Sequence, residues 1–315
     1  MTLKPISSFL VSLDTIAREA CTAAGVEFKS VPADGLFHAA DLVDDHRGRG
    51  DGRIKIFPDR QGGIVWNHKT GEQKAFFVDR KGGVPLSTED RQRIKAEQER
   101  RKQEQKARQD KTAKRAGGIY QPAKVAPLDH PYLLKKQLKS GYGARHTDWC
   151  RTYQDSTGKH QKLTIENTLL IPMYNEHGKL RNLQGIFPKE PPELGRGKDF
   201  LPGGELSGLF WWVGEKSDPV CIAEGFATAA TVHEETGYRV YIAFTANNLL
   251  AVGRIVRKHL PDATIILCAD NDLNTQGNPG LTKANEAAAA IGGFVAFPPI
   301  AGDFNDYYIQ MQEAQ

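Results

Sequence analysis

Residues 219–306 alternate short runs of β-forming residues with helical segments, and this alternation limits the possible folds more than any other feature of the chain. Strands are predicted at about 219–223, 239–244, 263–269 and 294–297, and helices at about 226–237, 247–259 and 280–291. Strands that are separated by helices form a largely parallel sheet with helices on both faces. The sequence therefore predicts an α/β fold for its C-terminal part.

Acidic side chains stand at the ends of these predicted strands. Glu224 follows the first strand, Asp270 and Asp272 follow the third, and Asp303 and Asp306 come a short loop after the last. In such sheets ligands bind at the carboxyl ends of the strands, where the strand order reverses. Converging carboxylates are hard oxygen ligands of the kind that Mg²⁺ or Mn²⁺ requires. We therefore predict a site for two ions about 4 Å apart, which would activate a 3′-hydroxyl and neutralise a leaving pyrophosphate.

Helix capping is a second interpretation of these acids. Glu224, Asp270, Asp272 and Asp306 each precede or begin a predicted helix, where a carboxylate can accept hydrogen bonds from free backbone N–H groups. Capping can explain one of these acids. It does not explain an acid at every strand end, so the metal site remains the main prediction.

Other metal and phosphate motifs are not found in the sequence. The run that begins at Asp270 resembles a calcium loop, but Thr275 and Leu281 occupy its glycine and closing-acid positions. No GxxxxGK[ST] phosphate loop occurs. The cysteines are far apart and never form a CxxC pair, which argues against a disulfide framework and a zinc ribbon. No zinc is expected. The four cysteines are Cys21, Cys150, Cys221 and Cys268.

Charge is divided unevenly along the chain, although the net charge is only +4. From Lys216 to the end there are six Lys/Arg and eleven Asp/Glu, whereas residues 1–215 carry 36 and 27. A basic front and an acidic back are typical of a protein that holds polyanions with one part and metal ions with another. The alternative is that the asymmetry is an accident of surface composition.

The N-terminal part predicts a small α+β domain. Apolar residues at helical spacing indicate an amphipathic helix over residues 8–25, and alternation over 53–77 indicates an antiparallel meander with turns at Gly62–Gly63 and Thr70–Gly71. Basic and aromatic side chains interleave in the meander, as a face that binds single-stranded nucleic acid requires. The alternative is that the aromatic rings form the core of the sheet. The candidate template-binding residues are Arg53, Lys55, Trp66 and Lys69.

A charged segment over residues 87–116 separates the two halves of the chain. Ile94 is its only large apolar residue, so we expect a solvated helix or tether that buries no face and that Gly117–Gly118 stops. Its excess of cations leaves open a contact with nucleic acid. Beyond it, residues 168–187 predict two strands joined at His177–Gly178. Cations on and after these strands are candidates for holding a nucleoside triphosphate or a template strand: Arg181, Lys189, Arg196 and Lys198.

The acidic segments resemble a known catalytic module. Glu224–Gly225 after a strand, the Asp270-x-Asp272 pair and the terminal Asp303-Phe-Asn-Asp306 resemble the Toprim domain of DnaG-type primases, topoisomerases and some nucleases. The fuller strings IAEGFATAATVHEETG, ADND, NPGLTKANEAA and GDFND are similar to Toprim primases of conjugative plasmids, phages and integrative elements. Upstream, LLIPMYNEHGKLRNLQGIF and GKDFLPGG resemble the basic half of the primase core. The resemblance covers roughly residues 125–310.

This resemblance implies a Rossmann-like Toprim fold and roles for individual residues. Glu224 would act in acid/base or metal chemistry, Asp270, Asp272 and Asp306 would bind the ions, and Asp303 would assist. Arg181 and Lys198 would face the nucleotide or template. Such primases commonly begin with a zinc module whose ligands this chain lacks, so the meander looks like a metal-free remnant. The implied domains are 1–84 (nucleic-acid binding), 85–117 (linker), 118–213 (basic subdomain) and 214–315 (Toprim).

The sequence thus leads to the hypothesis of a DNA primase that polymerises ribonucleotides on a single-stranded DNA template. A metal-dependent Toprim nuclease and a catalytically inactive nucleic-acid-binding protein are the alternatives. The expected partners are template DNA, ribonucleoside triphosphates and a replicative helicase supplied by another chain. No run approaches the roughly 18 consecutive apolar residues of a membrane span, so no membrane partner is expected and the chain is predicted to be cytoplasmic.

Overall fold

A computed structural model describes residues 12–44, 50–78, 88–155, 157–275 and 277–314 of the chain. The chain divides into two units, Met1–Gln103 and Glu104–Gln315. In the part of the chain that is described, no helix combines the length and the apolar character needed to cross a membrane. The finer division into four domains stays a prediction.

The first unit packs one helix against a four-stranded antiparallel sheet. The helix α1 (Leu13–Ala23) begins after Ser12, whose side chain accepts a hydrogen bond from the backbone N–H of Thr15. The first four residues of the predicted helix, 8–11, lie outside the described residues. The strands pair in chain order and are β1 (His38–Ala40), β2 (Gly52–Ile56), β3 (Gly62–Asn67) and β4 (Gln73–Phe77). Ala17 and Cys21 of α1 share a core with Ile54, Val65 and Phe76 of the sheet.

The predicted meander over residues 53–77 is confirmed, but its first turn was placed wrongly. Gly62 and Gly63 begin β3 and do not form the turn, which lies just before them. A Cβ atom on Gly63 would collide with the carbonyl oxygen of Lys55 and with the Phe76 ring, so glycine is needed there for close strand approach. The second turn, at Thr70–Gly71, is confirmed, with Gly71 at a φ of 77°.

The charged segment forms a longer helix than predicted. The helix α2 (Thr88–Tyr120) continues through Gly117 and Gly118, which were expected to stop it. Its last turns also bury a face, contrary to the expectation of a solvated rod: Ala116 is fully buried among apolar residues that include Trp149. Packing of this end inside the second unit outweighs the cost of about 1 kcal/mol for each glycine inside a helix.

The second unit contains a five-stranded antiparallel sheet, with strand order β5-β6-β7-β8-β9. Its strands are β5 (Lys124–Val125), β6 (Arg145–Gln154), β7 (His160–Tyr174), β8 (Leu180–Ile186) and β9 (Lys198–Phe200). A short helix, α3 (Pro131–Lys135), lies between β5 and β6 in the chain. The two strands predicted over residues 168–187 are β7 and β8, and the chain turns between Tyr174 and Leu180 as expected.

A second five-stranded sheet follows, in the order β10-β12-β11-β13-β14. Its strands are β10 (Trp211–Val213), β11 (Val220–Ala223), β12 (Arg239–Ile242), β13 (Ile265–Cys268) and β14 (Phe294–Ala296). Only β10 runs antiparallel to its neighbour. The helices are α4 (Phe226–Thr236), α5 (Leu249–His259), α6 (Pro279–Ile291) and α7 (Phe304–Glu313). The four strands and three helices predicted from the alternation are confirmed, β10 was not predicted, and α7 was expected only as a helix near Asp306, without bounds.

Alternate residues of β11 explain why this sheet carries helices on both faces. Cys221 and Ala223 pack with residues of α4, whereas Val220 and Ile222 pack with residues of α5 and α6. Strand β12 lies on one side of β11 and β13 on the other, so the strand order reverses at β11. The carboxyl ends of β11 and β13 therefore flank the crevice in which ligands of such sheets bind.

Candidate active site

Two of the predicted acids lie directly at this crevice. Ala223 and Cys268 are paired across β11 and β13, so Glu224 follows one strand end by one residue and Asp270 follows the other by two. The backbone N–H of Ala246 lowers the pKa of the Glu224 carboxyl. The neighbouring helix α4 begins after Gly225, which offers no side-chain cap. Glu224 is therefore not the N-cap of the helix that follows it.

The charges of four carboxylates act on one another at this edge of the sheet. Burial raises the pKa of Glu224, the charges of Asp272 and Asp303 raise it further, and Lys198 opposes them. Burial also raises the pKa of Asp270 from 3.8 to about 8, with further contributions from Glu224, Asp303 and Asp272. One carboxylate oxygen of Asp270, Oδ1, is buried and has no hydrogen-bond partner among the described residues. Groups with such perturbed pKa values cluster at functional sites.

Asp272 and Asp303 are fixed by backbone N–H groups. Asp272 Oδ2 accepts a hydrogen bond of 3.2 Å from the N–H of Gly280, in the first turn of α6. Asp303 is the N-cap of α7, and its Oδ1 accepts hydrogen bonds from the N–H groups of Asn305 (2.8 Å) and Asp306 (2.9 Å). Asp303 is therefore a helix cap. Its negative charge also raises the pKa values of Glu224 and Asp270.

Asp306 is engaged elsewhere. Its Oδ2 accepts a hydrogen bond of 3.2 Å from the backbone N–H of Asp303, which completes a capping box at α7. Its Oδ1 lies 3.0 Å from Nζ of Lys136, which follows α3. Asp306 is not among the charges that shift the pKa of Glu224 or Asp270. The structure thus brings together four of the five predicted acids and turns the fifth towards a lysine.

Lys198 is the predicted cation that the structure places beside the acids. It begins β9, and its positive charge lowers the pKa values of both Glu224 and Asp270. Because β9 belongs to the antiparallel sheet, the site is formed by both sheets of the second unit. We call the carboxylates of Glu224, Asp270, Asp272 and Asp303 the acidic edge. The charge of an exposed ammonium group, that of Lys198, therefore acts on this edge.

Comparison with known proteins identifies the domain that carries this edge. The family model described as "Toprim domain" matches residues 218–295. Residues 218–295 are a Toprim domain. The resemblance seen in the sequence is confirmed, and the matched range contains Glu224, Asp270 and Asp272.

The chain is also similar to two curated proteins named DNA primase TraC from Escherichia coli. One is 30% identical over 289 residues, covering 87% of this chain and 25% of the relative. The other is 29% identical over 292 residues, covering 87% and 18%. The chain thus spans a quarter or less of the length of these relatives.

Two solved structures show weaker similarity. A DNA primase domain from Pseudomonas aeruginosa has a TM-score of 0.43 and 11% identity, covering 62% of this chain and 74% of that one. The RNA polymerase domain of Mycobacterium tuberculosis primase DnaG has a TM-score of 0.43 and 15% identity, covering 66% and 81%.

The other cations predicted near the Toprim domain have different partners. Arg181 forms ion pairs with Asp110 (2.8 Å) and Glu205 (3.0 Å). Arg196 pairs with Asp199 at 2.8 Å. Lys189 is exposed in the loop that follows β8. The structure does not bring these three residues to the acidic edge as it does Lys198.

Three of the four predicted template-binding residues of the first unit, Arg53, Lys55 and Trp66, lie on the same face of the sheet. Arg53 is paired with Trp66 across β2 and β3, and the intervening Ile54 and Val65 point into the core. The ring centroids of Trp66 and Phe37 lie 6.1 Å apart. Nζ of Lys55 lies 5.3 Å from the Phe37 centroid. The face continues to Phe77, which is 64% exposed. Lys69 is exposed in the turn after β3.

The aromatic rings of the meander divide between the core and the sheet surface, and binding of nucleic acid by the surface rings stays a prediction. Phe76 is a core residue, 5% exposed, whereas Trp66 and Phe77 lie on the face away from α1. A flat ring flanked by cations on an open sheet can stack with an unpaired base.

The residues present fit a divalent cation. The donors at the Toprim edge are carboxylates, and the buried Oδ1 of Asp270 lacks a partner among the described residues. In that same part of the chain, no three His, Cys, Asp or Glu side chains already stand at ligand distance from one common point. Mg²⁺ sites in phosphoryl-transfer enzymes use one or two carboxylates, with water and substrate phosphates as the other ligands. Glu224, Asp270, Asp272 and Asp303 suit that kind of site.

Sequence reasoning missed two residues that shape this edge. Lys136 has no motif, and its pairing with Asp306 joins positions 170 residues apart. Asn271 lies between the two aspartates and is only 4% exposed. The sequence signal for Asn271 is its position inside the Asp-x-Asp pair. A polar side chain that is buried needs hydrogen-bond partners.

Proposed function

We propose that this chain is the catalytic part of a DNA primase, which joins ribonucleotides on a single-stranded DNA template. The observation that carries this proposal is the group of four carboxylates at the strand-order reversal of a Toprim domain, with Lys198 facing them. The similarity to two curated DNA primases over 87% of the chain supports the same conclusion.

The proposed roles follow from charge and burial. Mg²⁺ or Mn²⁺ ions, when bound by Glu224, Asp270, Asp272 and Asp303, would supply Lewis-acid activation of a 3′-hydroxyl and neutralisation of pyrophosphate. Glu224 takes the proton of the attacking hydroxyl, because its carboxylate stands directly after β11 at the edge where the strand order reverses. Lys198 binds the triphosphate. Asp306, a predicted metal ligand, keeps that role only if its contact with Lys136 opens.

The remaining predicted residues are proposed to hold nucleic acid. Arg53, Lys55, Trp66 and Lys69 bind the template strand, and Arg181, Lys189 and Arg196 bind template or nucleotide near the basic sheet. A replicative helicase on another chain is the proposed protein partner. The place of action is the cytoplasm, where template and ribonucleotides meet.

One assay tests this function against its alternatives. The full chain is incubated with single-stranded DNA, labelled ribonucleotides and either Mg²⁺ or Mn²⁺. Primase activity gives short labelled oligomers that require both template and divalent ion. Shortened template without labelled oligomers indicates a nuclease. Retained DNA binding without either product indicates an inactive binding protein, and both of these results contradict the proposal.

Replacing Trp66 tests the proposed template face. We expect Trp66→Ala to weaken binding of a single-stranded oligonucleotide by about 10-fold, since one base–aromatic stack contributes about 1–3 kcal/mol. Fluorescence anisotropy at two salt concentrations measures the change. The control is Phe294→Ala, which removes an exposed aromatic ring (65% exposed) from the Toprim sheet. Equal affinities for the Trp66 variant and the wild type would show that this face does not bind the template.

A further inference from the structure

Asn271 is a buried polar residue at the centre of the acidic edge. It lies between Asp270 and Asp272 and is 4% exposed. Its Nδ2 donates hydrogen bonds to the carbonyl oxygens of Pro298 and Ile300, both at 3.1 Å. Its Oδ1 accepts a hydrogen bond of 2.8 Å from Nδ2 of Asn278. Both ends of the amide are therefore hydrogen-bonded.

The backbone of Asn271 makes a second connection to the same segment. Its N–H donates to the carbonyl oxygen of Gly302 at 2.8 Å, and the N–H of Gly302 donates back at 3.0 Å. Gly302 immediately precedes Asp303. Asn271 thus ties the loop of Asp270 and Asp272 to the loop that leads into Asp303.

Asn278 extends this network to the other side of the Asp-x-Asp pair. Its Oδ1 accepts a hydrogen bond of 2.9 Å from the backbone N–H of Asp272. Its backbone is left-handed, with a φ of 41°, directly before Pro279 and the start of α6. Asparagine tolerates this conformation better than most residues. The two asparagine amides therefore fix Asp272 and Asp303 relative to one another.

We propose that Asn271 is a positioning residue that sets the spacing of the carboxylates for divalent-cation binding. It acts through Asp272 and Asp303 and does not itself touch the reacting atoms. This inference rests on the proposed function, because it assumes that the four carboxylates hold the ion. Only a neutral amide supplies two donors to the carbonyl groups and one acceptor to Asn278. An aspartate would face both carbonyl oxygens with another oxygen, and a leucine would leave them without partners.

Direct Mn²⁺ binding to the full chain, without template or nucleotide, tests this role. We expect Asn271→Leu to raise the apparent Kd for Mn²⁺ by about 10-fold or more, as loss of a group that orients metal ligands typically does. Titration calorimetry or the electron paramagnetic resonance signal of free Mn²⁺ gives the Kd. Asn285→Ala is the control, because it removes an exposed amide of α6 that bonds within its own helix.

A second variant separates positioning from folding. Asn278→Gly keeps a residue that adopts the left-handed backbone easily, but deletes both side-chain hydrogen bonds of Asn278. We expect it to weaken Mn²⁺ binding by several-fold with little change in the melting temperature. A role in stability alone would lower the melting temperature of the Asn271 variant and leave the Kd of both variants unchanged, which would overturn the proposal.

The same titration distinguishes failure of the positioning role from failure of the metal site. Asp270→Asn removes a proposed ligand and should abolish the measured binding. Loss of binding in this variant, together with wild-type affinity in both asparagine variants, rejects only the role of Asn271. Wild-type binding by Asp270→Asn places the ion elsewhere and contradicts the metal site of the proposed function itself.

Discussion

Glu224→Gln is expected to lower the rate of primer synthesis by about 100-fold or more, the lower end of what a positioned proton acceptor contributes. Glutamine has nearly the shape of glutamate, so it fits the same buried position. It carries no charge, so it cannot take up a proton or balance a divalent ion. Because the substitution also removes repulsion with Asp272 and Asp303, the fold should be retained and the melting temperature should not fall.

Single-turnover incorporation of labelled ribonucleotides measures this loss, with single-stranded DNA binding followed in parallel. Glu286→Gln is the matched control, because Glu286 lies on the exposed surface of α6 and pairs with Lys283 at 2.8 Å. A Glu224 variant that retained a third or more of the wild-type rate would remove Glu224 from the proposed chemistry. Loss of DNA binding together with activity would instead indicate a damaged fold, which the melting temperature would reveal.

The Toprim part of the fold was predictable because several local signals agreed. The four strands carry runs of β-formers, the helices between them follow the helical period, and both kinds of element lie where expected. The positions of Glu224 and Asp270 then followed from a general property of parallel sheets, whose strand ends converge where the order reverses. No side-chain detail was needed to place these two acids together.

Choosing among the cations required the tertiary structure. Arg181, Arg196 and Lys198 all appear in one basic stretch, and nothing local separates them. Arg181 is paired with Asp110, which is 71 positions earlier in the chain, whereas Lys198 begins β9 beside the acids. These partners depend on which strands and helices meet, so the sequence could indicate a basic region but not the residue that faces the site.

Two further differences have the same origin. The helix α2 passes through Gly117 and Gly118 because its last turns pack on Trp149 and its neighbours, a contact that helix propensity does not contain. Asp306 was expected beside the other acids, but a capping box and Lys136 hold its carboxylate. In both cases the result depends on a contact with residues far away in the chain. Such a contact sets where α2 ends and where the Asp306 carboxylate points.

The metal-free protein is expected to lose stability as the pH rises from about 5 to about 9, and Asp270→Asn should remove most of this loss. The pKa of Asp270 is about 8 in the fold, against 3.8 for an unperturbed aspartate. Between these values the folded protein keeps a proton that the unfolded chain has released, so raising the pH favours unfolding by up to about 1.4 kcal/mol per pH unit. Glu224, whose pKa is also raised, acts in the same direction.

Denaturant unfolding in EDTA at pH 5, 7 and 9 measures this dependence. Because Asp270 is partly exposed, we expect the stability of the asparagine variant relative to wild type to grow by about 2 kcal/mol over this range, less than the full pKa difference implies. Asp262→Asn, at an exposed position before β13, is the control and should keep the wild-type slope. Saturating Mg²⁺ should stabilise the wild type more at pH 9 than at pH 5, since the ion binds the ionised carboxylates of the fold. Parallel pH profiles for Asp270→Asn and the wild type would mean that burial and the neighbouring acids do not raise the pKa of Asp270 in the fold.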